Sequence, residues 1–159
     1  MRVPRELFQK FLWLGSGQSP DNTGIIMQKH KVGLAGEDTA AKYLERSGFK
    51  VIERRCHAGH LETDIIAVND EYILFTEVKA RRAIPGGTHP YGTPGSAVDA
   101  KKSANLIAAA EEYLRTHKEE TKDLQPRIDV IEVYFDPREE GMCLLHLNHI
   151  KNAVRRRGR

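Results

Sequence analysis

Two stretches decide the fold of this chain: Leu61-Glu62-Thr63-Asp64-Ile65-Ile66-Ala67-Val68 and Tyr72-Ile73-Leu74-Phe75-Thr76-Glu77-Val78-Lys79. Both are rich in β-branched and aromatic residues, and the segment 69–71 between them has turn composition, so the pair predicts a β-hairpin. Because side chains alternate along a strand, Glu77 and Lys79 project from the same face. Pairing across the turn then places Asp64 opposite Glu77. Three charged groups are therefore expected at one end of a largely apolar hairpin.

This cluster of charges is typical of a divalent metal site. Carboxylates supply the hard oxygen ligands that Mg²⁺ prefers, and an adjacent ammonium can orient or activate a water molecule. We predict that Asp64, Glu77 and the backbone carbonyl of Val78 bind Mg²⁺ or Mn²⁺, with Lys79 beside the attacking water. A hairpin whose charges only pair with one another is the alternative interpretation.

A helix ahead of the hairpin contributes a further carboxylate. Leu34, Ala41 and Leu44 recur at helical spacing, and Gly48 follows as a stop signal. Glu37 lies on the same stripe, where a carboxylate is costly unless it is paired or bound to a ligand. It either bends out to water near the first turn or joins the metal site. The carboxylates of the hairpin favour the metal site.

A second helix is predicted over Ala97 to His117, with an apolar stripe through Leu106 and Tyr113. Lys102 lies at the edge of that stripe, whereas Lys101 lies well outside it. We therefore expect Lys102 to reach the site and Lys101 to be solvated.

Composition limits the class of protein. The chain has 159 residues, of which 40% are hydrophobic and 30% charged, so one globular domain is expected and a disordered chain is excluded. Its two cysteines are too few for a disulfide scaffold and fit a reducing compartment, which predicts a cytoplasmic protein. No apolar run reaches the length of a membrane span, so no membrane partner is expected.

The order of elements predicts an α/β domain. Residues 1–30 have the composition of an appendage and linker, residues 31–154 form the domain, and residues 155–159 form a basic tail. Strands are predicted near residues 49–54, 127–135 and 142–146, and a closing helix near 148–154. The predicted order is α-β-β-β-α-β-β-α, a mixed β-sheet flanked by helices.

Basic residues near the hairpin indicate a nucleic-acid surface. Arg81 and Arg82 follow Lys79 directly, and the Gly- and Pro-rich segment 83–96 contains Tyr91, which could stack on a base. The tail residues Arg155, Arg156 and Arg157 form a second basic cluster. We predict that these six residues contact nucleic acid, with the tail as a weaker auxiliary. The net charge of +3 alone would not indicate this.

The chain resembles the YraN-like family of bacterial proteins, which is regarded as endonuclease-like and similar to Holliday-junction resolvases. The matching stretches are Gly36-Glu37-Asp38-Thr39-Ala40-Ala41-Lys42-Tyr43-Leu44, Glu62-Thr63-Asp64-Ile65-Ile66, Leu74-Phe75-Thr76-Glu77-Val78-Lys79-Ala80-Arg81, Val98 with Lys102, and Arg127-Ile128-Asp129-Val130-Ile131. The resemblance covers residues 31–154. It implies the restriction-endonuclease-like fold, called PD-(D/E)XK.

The resemblance also implies the roles of particular residues. The catalytic set of the family falls on Glu37, Asp64, Glu77, Lys79 and Lys102. The chain departs from the family where its motifs have glycine and an apolar residue, at positions 61 and 63. Every charged group of the motifs stays in place. The aspartate at position 129 is interpreted separately, as a structural residue that pairs with the arginine two residues before it or with a helix terminus.

The function expected from these residues is metal-dependent hydrolysis of DNA phosphodiester bonds, with structured or branched DNA as a possible substrate. Because resolvases are two-fold dimers, a homodimer is expected by analogy. The alternative is a module of the same fold that binds nucleic acid without cutting it. Intact charges at Glu37, Asp64, Glu77 and Lys79 favour the enzyme.

Overall fold

The protein is described here from a computed structural model that covers residues 22–59, 61–83 and 99–154, with side chains from Ile26 onward. The elements in chain order are α1 (Asn22–Arg46), β1 (Lys50–Ala58), β2 (Leu61–Val68), β3 (Tyr72–Arg82), α2 (Ala100–Thr116), α3 (Lys118–Thr121), β4 (Gln125–Phe135) and β5 (Leu144–Val154).

The five strands form one mixed sheet in the order β1-β2-β3-β4-β5. Neighbouring strands are antiparallel except β3 and β4, which are parallel and joined through α2. A parallel pair needs a crossover connection, and α2 supplies it. The predicted mixed sheet flanked by helices is confirmed, as is the order of elements as far as β5.

Each face of the sheet has its own apolar core. On one face α1 packs through Ala40, Ala41 and Leu44 against strand residues that include Leu74 and Ile131. On the other face α2 packs against a second set of strand side chains. The helix contributes Leu106, Ala110 and Tyr113, and the strands contribute Ile66, Ile73 and Phe75. The two helices therefore lie on opposite faces of β3.

The hairpin forms with the predicted register, in which Val68 pairs with Ile73. The Asn69 side chain closes the turn, because its Oδ1 accepts hydrogen bonds from the amides of Glu71 (3.0 Å) and Tyr72 (2.7 Å). This is the local hydrogen bonding that makes asparagine a frequent turn residue. The register therefore follows from a turn that the sequence itself encodes.

Both long helices have identifiable termini. Gly48 follows α1 with φ 86° while the Phe49 amide donates to the Leu44 carbonyl, as in a Schellman motif. At the start of α2, Asp99 accepts a hydrogen bond from the Lys102 amide at 2.7 Å. The predicted stop at Gly48 is confirmed.

Some element boundaries differ from the prediction. α1 begins at Asn22, so the helix crosses the predicted division at residue 30. Strand β1 continues to Ala58 and β3 to Arg82, because both pair with neighbours along their added length. The predicted linker after α2 contains the short helix α3. None of the described helices is long and apolar enough to cross a membrane.

The predicted closing helix over residues 148–154 is wrong, because this segment continues strand β5 to Val154. It pairs with β4, and His149 lies opposite Ile131. The ladder shifts register where Asn152 takes a positive φ of 53°. Its amide donates to the buried Asp129 side chain at 2.7 Å. Pairing with an otherwise open edge of β4 thus outweighs the local helical pattern.

Candidate functional site

The candidate site lies where β2 and β3 separate. Their ladder ends at the Ile65–Thr76 pair, although both strands continue. Beyond this pair the Asp64 side chain takes the place of a strand partner, since its Oδ2 accepts a hydrogen bond from the Val78 amide at 2.7 Å. We call this gap, bounded by Asp64, Glu77 and Val78, the β2–β3 notch. The carbonyl of Val78 points to the same side as its amide, as strand geometry requires.

Glu77 lies in the notch on the face of the sheet that α2 covers. Its side chain is 11% exposed, and its Oε2 lies 2.8 Å from the Lys102 Nζ. The contact is an ion pair without the angles of a hydrogen bond, so Glu77 Oε2 is a buried oxygen with no hydrogen-bond donor. Lys102 therefore reaches the site, as the helical pattern predicts, while Lys101 is exposed.

The charge on Asp64 is disfavoured in the folded protein. Burial, followed by the nearby Glu77 carboxylate, raises the pKa of Asp64 to about 6, against the hydrogen bond from Val78 and the charge of Lys102. Although burial acts to lower it, the ion pair with Glu77 holds the pKa of Lys102 above its ordinary value. The negative charge of Asp64 beside Glu77 is thus not fully balanced by the nearby donors and cations. A bound divalent cation would balance it.

Glu37 has a different partner. Its two carboxylate oxygens accept hydrogen bonds from Arg55, from Nε at 2.8 Å and from Nη2 at 3.0 Å. Arg54 lies 3.9 Å away and pairs more closely with Asp38. Glu37 is near enough to contribute to the raised pKa of Asp64. It would have to leave Arg55 to bind an ion.

Lys79 is half-buried on β3, and its strand partner across the parallel ladder is Glu132. The carboxylate of Glu77 takes its ion pair from Lys102 on α2. In the alternative interpretation the hairpin charges pair with one another, with Lys79 as the cation. The structure instead pairs Glu77 with Lys102.

Sequence reasoning missed Glu132. Its side chain is buried, Asn148 donates a hydrogen bond to its Oε2 at 3.1 Å, and its Oε1 has no hydrogen-bond donor. The signal was available, because a carboxylate inside an otherwise apolar strand is costly to bury. Arg55 was missed as well, and nothing in the composition of its segment marks it.

The donor set of the notch suits Mg²⁺. In the described part of the chain no three His, Cys, Asp or Glu side chains group into a ready-made metal site. Mg²⁺ nevertheless binds through one or two carboxylates and completes its coordination with water and substrate phosphates. The notch offers two carboxylates, Asp64 and Glu77, together with the Val78 carbonyl. The residues present therefore fit the ion that the resemblance implies.

A basic groove of about 850 Å³ adjoins the notch. It lies on the face of the sheet that α1 covers and is lined by residues 28, 29, 32 and 33 of α1 and by residues 78–83 at the end of β3, with the cations Lys29 and Arg82 on this face. The side chains of Lys79 and Arg81 alternate to the other face, from which Glu77 projects. None of its described lining residues is acidic. The Arg82 guanidinium is already engaged, since it donates to the carbonyls of Asp136 (3.3 Å) and Glu139.

Several predicted binding residues lie outside the described residues, namely Tyr91, Arg155, Arg156 and Arg157. The structural interpretation of Asp129 is confirmed. Its buried carboxylate pairs with Arg127 at 2.8 Å and with His149 at 2.8 Å. Although burial acts to raise it, these partners and the Asn152 amide hold the pKa of Asp129 below its ordinary value.

Comparison with known proteins gives one consistent result. The family model described as "Uncharacterised protein family UPF0102" matches residues 36–133. A UPF0102 protein of Caldanaerobacter subterraneus subsp. tengcongensis is 38% identical over 129 residues, which are 80% of this chain and 97% of that protein. A UPF0102 protein of Caldicellulosiruptor saccharolyticus is 36% identical, over 80% of this chain and 99% of its own length.

Proposed function

Since the chain belongs to the UPF0102 family, we propose for it a function that its notch supports best, metal-dependent hydrolysis of DNA phosphodiester bonds. One observation carries the proposal. Two carboxylates, Asp64 and Glu77, lie together at a break in the sheet, and burial followed by the charge of Glu77 raises the pKa of Asp64 to about 6. A basic groove adjoins them.

In this proposal Asp64, Glu77 and the Val78 carbonyl hold one Mg²⁺ or Mn²⁺. When bound, the ion supplies a water of lowered pKa and neutralises charge on the phosphate that is attacked. The reaction adds water to phosphorus and breaks one P–O bond. The leaving oxygen takes a proton, which yields a phosphomonoester and a hydroxyl group.

The side chains of the chain itself have separate tasks. Lys79 orients the attacking water and stabilises negative charge that develops during the reaction. Lys102 holds the Glu77 carboxylate in the notch through their 2.8 Å ion pair. Lys29 binds phosphates of the DNA along the basic groove, and Arg81 binds them on the face of β3 from which Glu77 projects. Structured or branched DNA as the substrate, and a two-fold dimer as the active form, extend the proposal by analogy with resolvases.

A second candidate function rests on a specific observation. Lys102 neutralises Glu77 and Arg55 neutralises Glu37, so two of the three carboxylates have counterions within the chain. A module that binds DNA without cutting it would be stable in this arrangement. The two candidates differ in whether a divalent ion enters the notch and in whether DNA is hydrolysed.

A nuclease assay with a divalent-metal titration tests the proposal. Purified parent protein is incubated with linear, nicked and four-way-junction DNA over a range of Mg²⁺ and Mn²⁺ concentrations. We expect metal-dependent cleavage of at least one form, and its loss in Asp64→Asn prepared in the same way. Equal cleavage by parent and Asp64→Asn would identify a contaminating nuclease. No cleavage of any form, with metal bound, would leave the binding module.

A further inference from the structure

Arg55 has an unusual backbone. Its φ is 51°, in the left-handed region that residues other than glycine rarely adopt. It lies in β1 between Arg54, which pairs with Ile65, and Cys56, which pairs with Thr63. Arg55 is therefore opposite Asp64 of the notch. Such strain is costly and persists only where the surrounding structure holds it, often at functional sites.

The Arg55 guanidinium is held in one orientation. Glu37 accepts two hydrogen bonds, from Nε and Nη2, in the parallel geometry typical of arginine and carboxylate. The Arg55 side chain is 42% exposed, whereas that of Glu37 is 13% exposed. Nη1 takes no part in this pair. A guanidinium fixed along one edge thus keeps donors on its other edge for a second anion.

An ordinary structural ion pair does not account for this arrangement. The strained backbone of Arg55 costs free energy, and a pair whose guanidinium is open to water offsets that cost only in part. The pair instead holds a cation beside the carboxylates of the notch. The hydrogen-bonded Glu37 carboxylate, and to a smaller extent Glu62 and Asp64, raise the pKa of Arg55. The position is next to the proposed metal ligands and on the side of the notch opposite Lys79.

We propose that Arg55 binds a backbone phosphate of DNA at the β2–β3 notch and that Glu37 is the positioning residue that orients its guanidinium. This inference rests on the proposed function, because it takes DNA as the ligand. It assigns Glu37 a task other than binding the metal. Arginine suits it because its planar fork matches the two oxygens of a phosphate, which a lysine does not.

DNA binding without metal is the first test, since no cleavage then occurs. Affinity for duplex and junction DNA is measured by fluorescence anisotropy in a chelating buffer, for parent, Arg55→Asn, Arg55→Lys and Arg54→Ala. Asparagine tolerates a positive φ, so Arg55→Asn removes the guanidinium without new strain. Arg54→Ala is the matched control, because it removes a neighbouring arginine that is exposed to a similar extent.

We expect Arg55→Asn to weaken DNA binding by about tenfold or more and to reduce the salt slope by about one, the change for one lost phosphate contact. Arg55→Lys should restore only part of the affinity, and Arg54→Ala should change it by less than about twofold. Arg55→Asn and Arg54→Ala with the same affinity as each other would overturn the proposal. Thermal melts establish that each variant is folded.

The task of Glu37 is tested by combining variants. If Glu37 acts through Arg55, Glu37→Gln changes DNA affinity in the parent but has no further effect in Arg55→Asn. Calorimetric Mn²⁺ affinity should be the same in parent and Glu37→Gln. A loss of Mn²⁺ affinity in Glu37→Gln, or an equal effect in both backgrounds, would instead make Glu37 a metal ligand.

The outcomes separate this inference from the proposed function. A parent protein that binds DNA through Arg55 but never cuts it would overturn the nuclease and leave the inference standing. A parent protein that cuts DNA while Arg55→Asn binds it normally would overturn the inference and leave the nuclease standing. A parent protein that does not bind DNA overturns both.

Discussion

Asp64 lies where the β2–β3 ladder ends, with one oxygen on the Val78 amide and the Glu77 carboxylate close by. The hydrogen bond from that amide fixes the side chain, while burial and then the second carboxylate disfavour its charge. Its folded-state pKa of about 6 lies above the ordinary value of 3.8. The folded protein therefore binds this proton more tightly than the unfolded chain does.

Our first prediction concerns the pH dependence of stability in the absence of metal. The contribution of Asp64 is fully present below about pH 4 and is lost as the pH rises through about 6, at a cost of about 2–3 kcal/mol. Asp64→Asn keeps an acceptor for the Val78 amide and cannot ionise. We expect Asp64→Asn to be more stable than the parent at about pH 8, and the difference to vanish near about pH 4.

Urea unfolding in a chelating buffer across this pH range measures the difference. Asp70→Asn is the control, since Asp70 lies exposed in the turn of the same hairpin. A parent as stable as Asp64→Asn at every pH would mean that Asp64 carries no charge penalty.

Lys79 gives the second prediction at the residue scale. We expect Lys79→Ala to bind DNA and Mn²⁺ within a few-fold of the parent but to cut at least about a hundred-fold more slowly, because Lys79 acts in the transition state. Single-turnover kinetics at saturating DNA removes the binding step from the rate. If Lys79 is only a phosphate-binding cation, the rate of Lys79→Ala recovers at high DNA concentration.

Single residues show what the sequence could and could not predict about the site. Lys102 was found because helical spacing places it on a defined edge of α2. The pairing of Glu37 with Arg55 was not found, because it depends on a left-handed residue in β1. An arginine gives no local signal for that conformation. Glu132 did give a signal, which was overlooked among the apolar residues of β4.

Among the elements, the contact of α1 with β3 sets the position of Glu37. Gly36 lies against β3 so closely that a Cβ atom there would overlap the Cβ of Ala80. Glu37 follows directly, so this approach decides how near its carboxylate comes to the notch. The sequence places glycine at position 36 without revealing the reason, which is the spacing between helix and sheet.

The third prediction compares two glycines of the same helix. We expect Gly36→Ala to destabilise the protein by about 1–3 kcal/mol, because helix and strand must separate. Gly33→Ala should stabilise it by up to about 1 kcal/mol, since alanine favours helix and a Cβ at Gly33 meets no atom within 4 Å.

Urea unfolding measures both variants, and Ala80→Gly combined with Gly36→Ala should recover part of the loss. Equal stability of the two single variants would show that α1 does not approach β3 this closely. In Gly36→Ala we also expect weaker DNA binding, because the Glu37–Arg55 pair moves with the helix.

The strands show why local patterns predicted one element and missed another. The hairpin register was predictable because alternation and the Asn69 turn are both local. The end of β5 was not, because residues 148–154 become a strand only through pairing with β4. The register shift in β5 is fixed by Asp129 of β4, whose carboxylate accepts a hydrogen bond from the Asn152 amide.

For the whole molecule, the arrangement of charge matters more than its sum. The net charge is only +3, yet cations lie on both faces of β3 beside the notch, with Lys79 and Arg81 on the face of Glu77 and Lys29 in the groove on the other face. Arg82 lines it too, but its guanidinium binds carbonyls of the segment after β4. Arg81 and Lys29 are therefore better placed than Arg82 to contact DNA.

The fourth prediction concerns these two cations. We expect Arg81→Ala combined with Lys29→Ala to weaken binding to all DNA sequences alike and to flatten the salt slope by up to about two, near one for each lost contact. The matched control removes two exposed lysines at the two ends of α3, with Lys118→Ala and Lys122→Ala. Anisotropy titrations over a range of salt compare the two double variants. Equal salt slopes would place the DNA surface elsewhere.

Binding of a divalent ion at the β2–β3 notch is the central claim, and Mn²⁺ calorimetry tests it most directly. The parent is compared with Asp64→Asn/Glu77→Gln and with Asp70→Asn/Glu71→Gln, which makes the same changes at the exposed turn of the same hairpin. We expect the parent and the turn variant to bind Mn²⁺ equally, and the notch variant to bind at least about tenfold more weakly, as for loss of metal ligands. Equal affinity of all three proteins would contradict the claim.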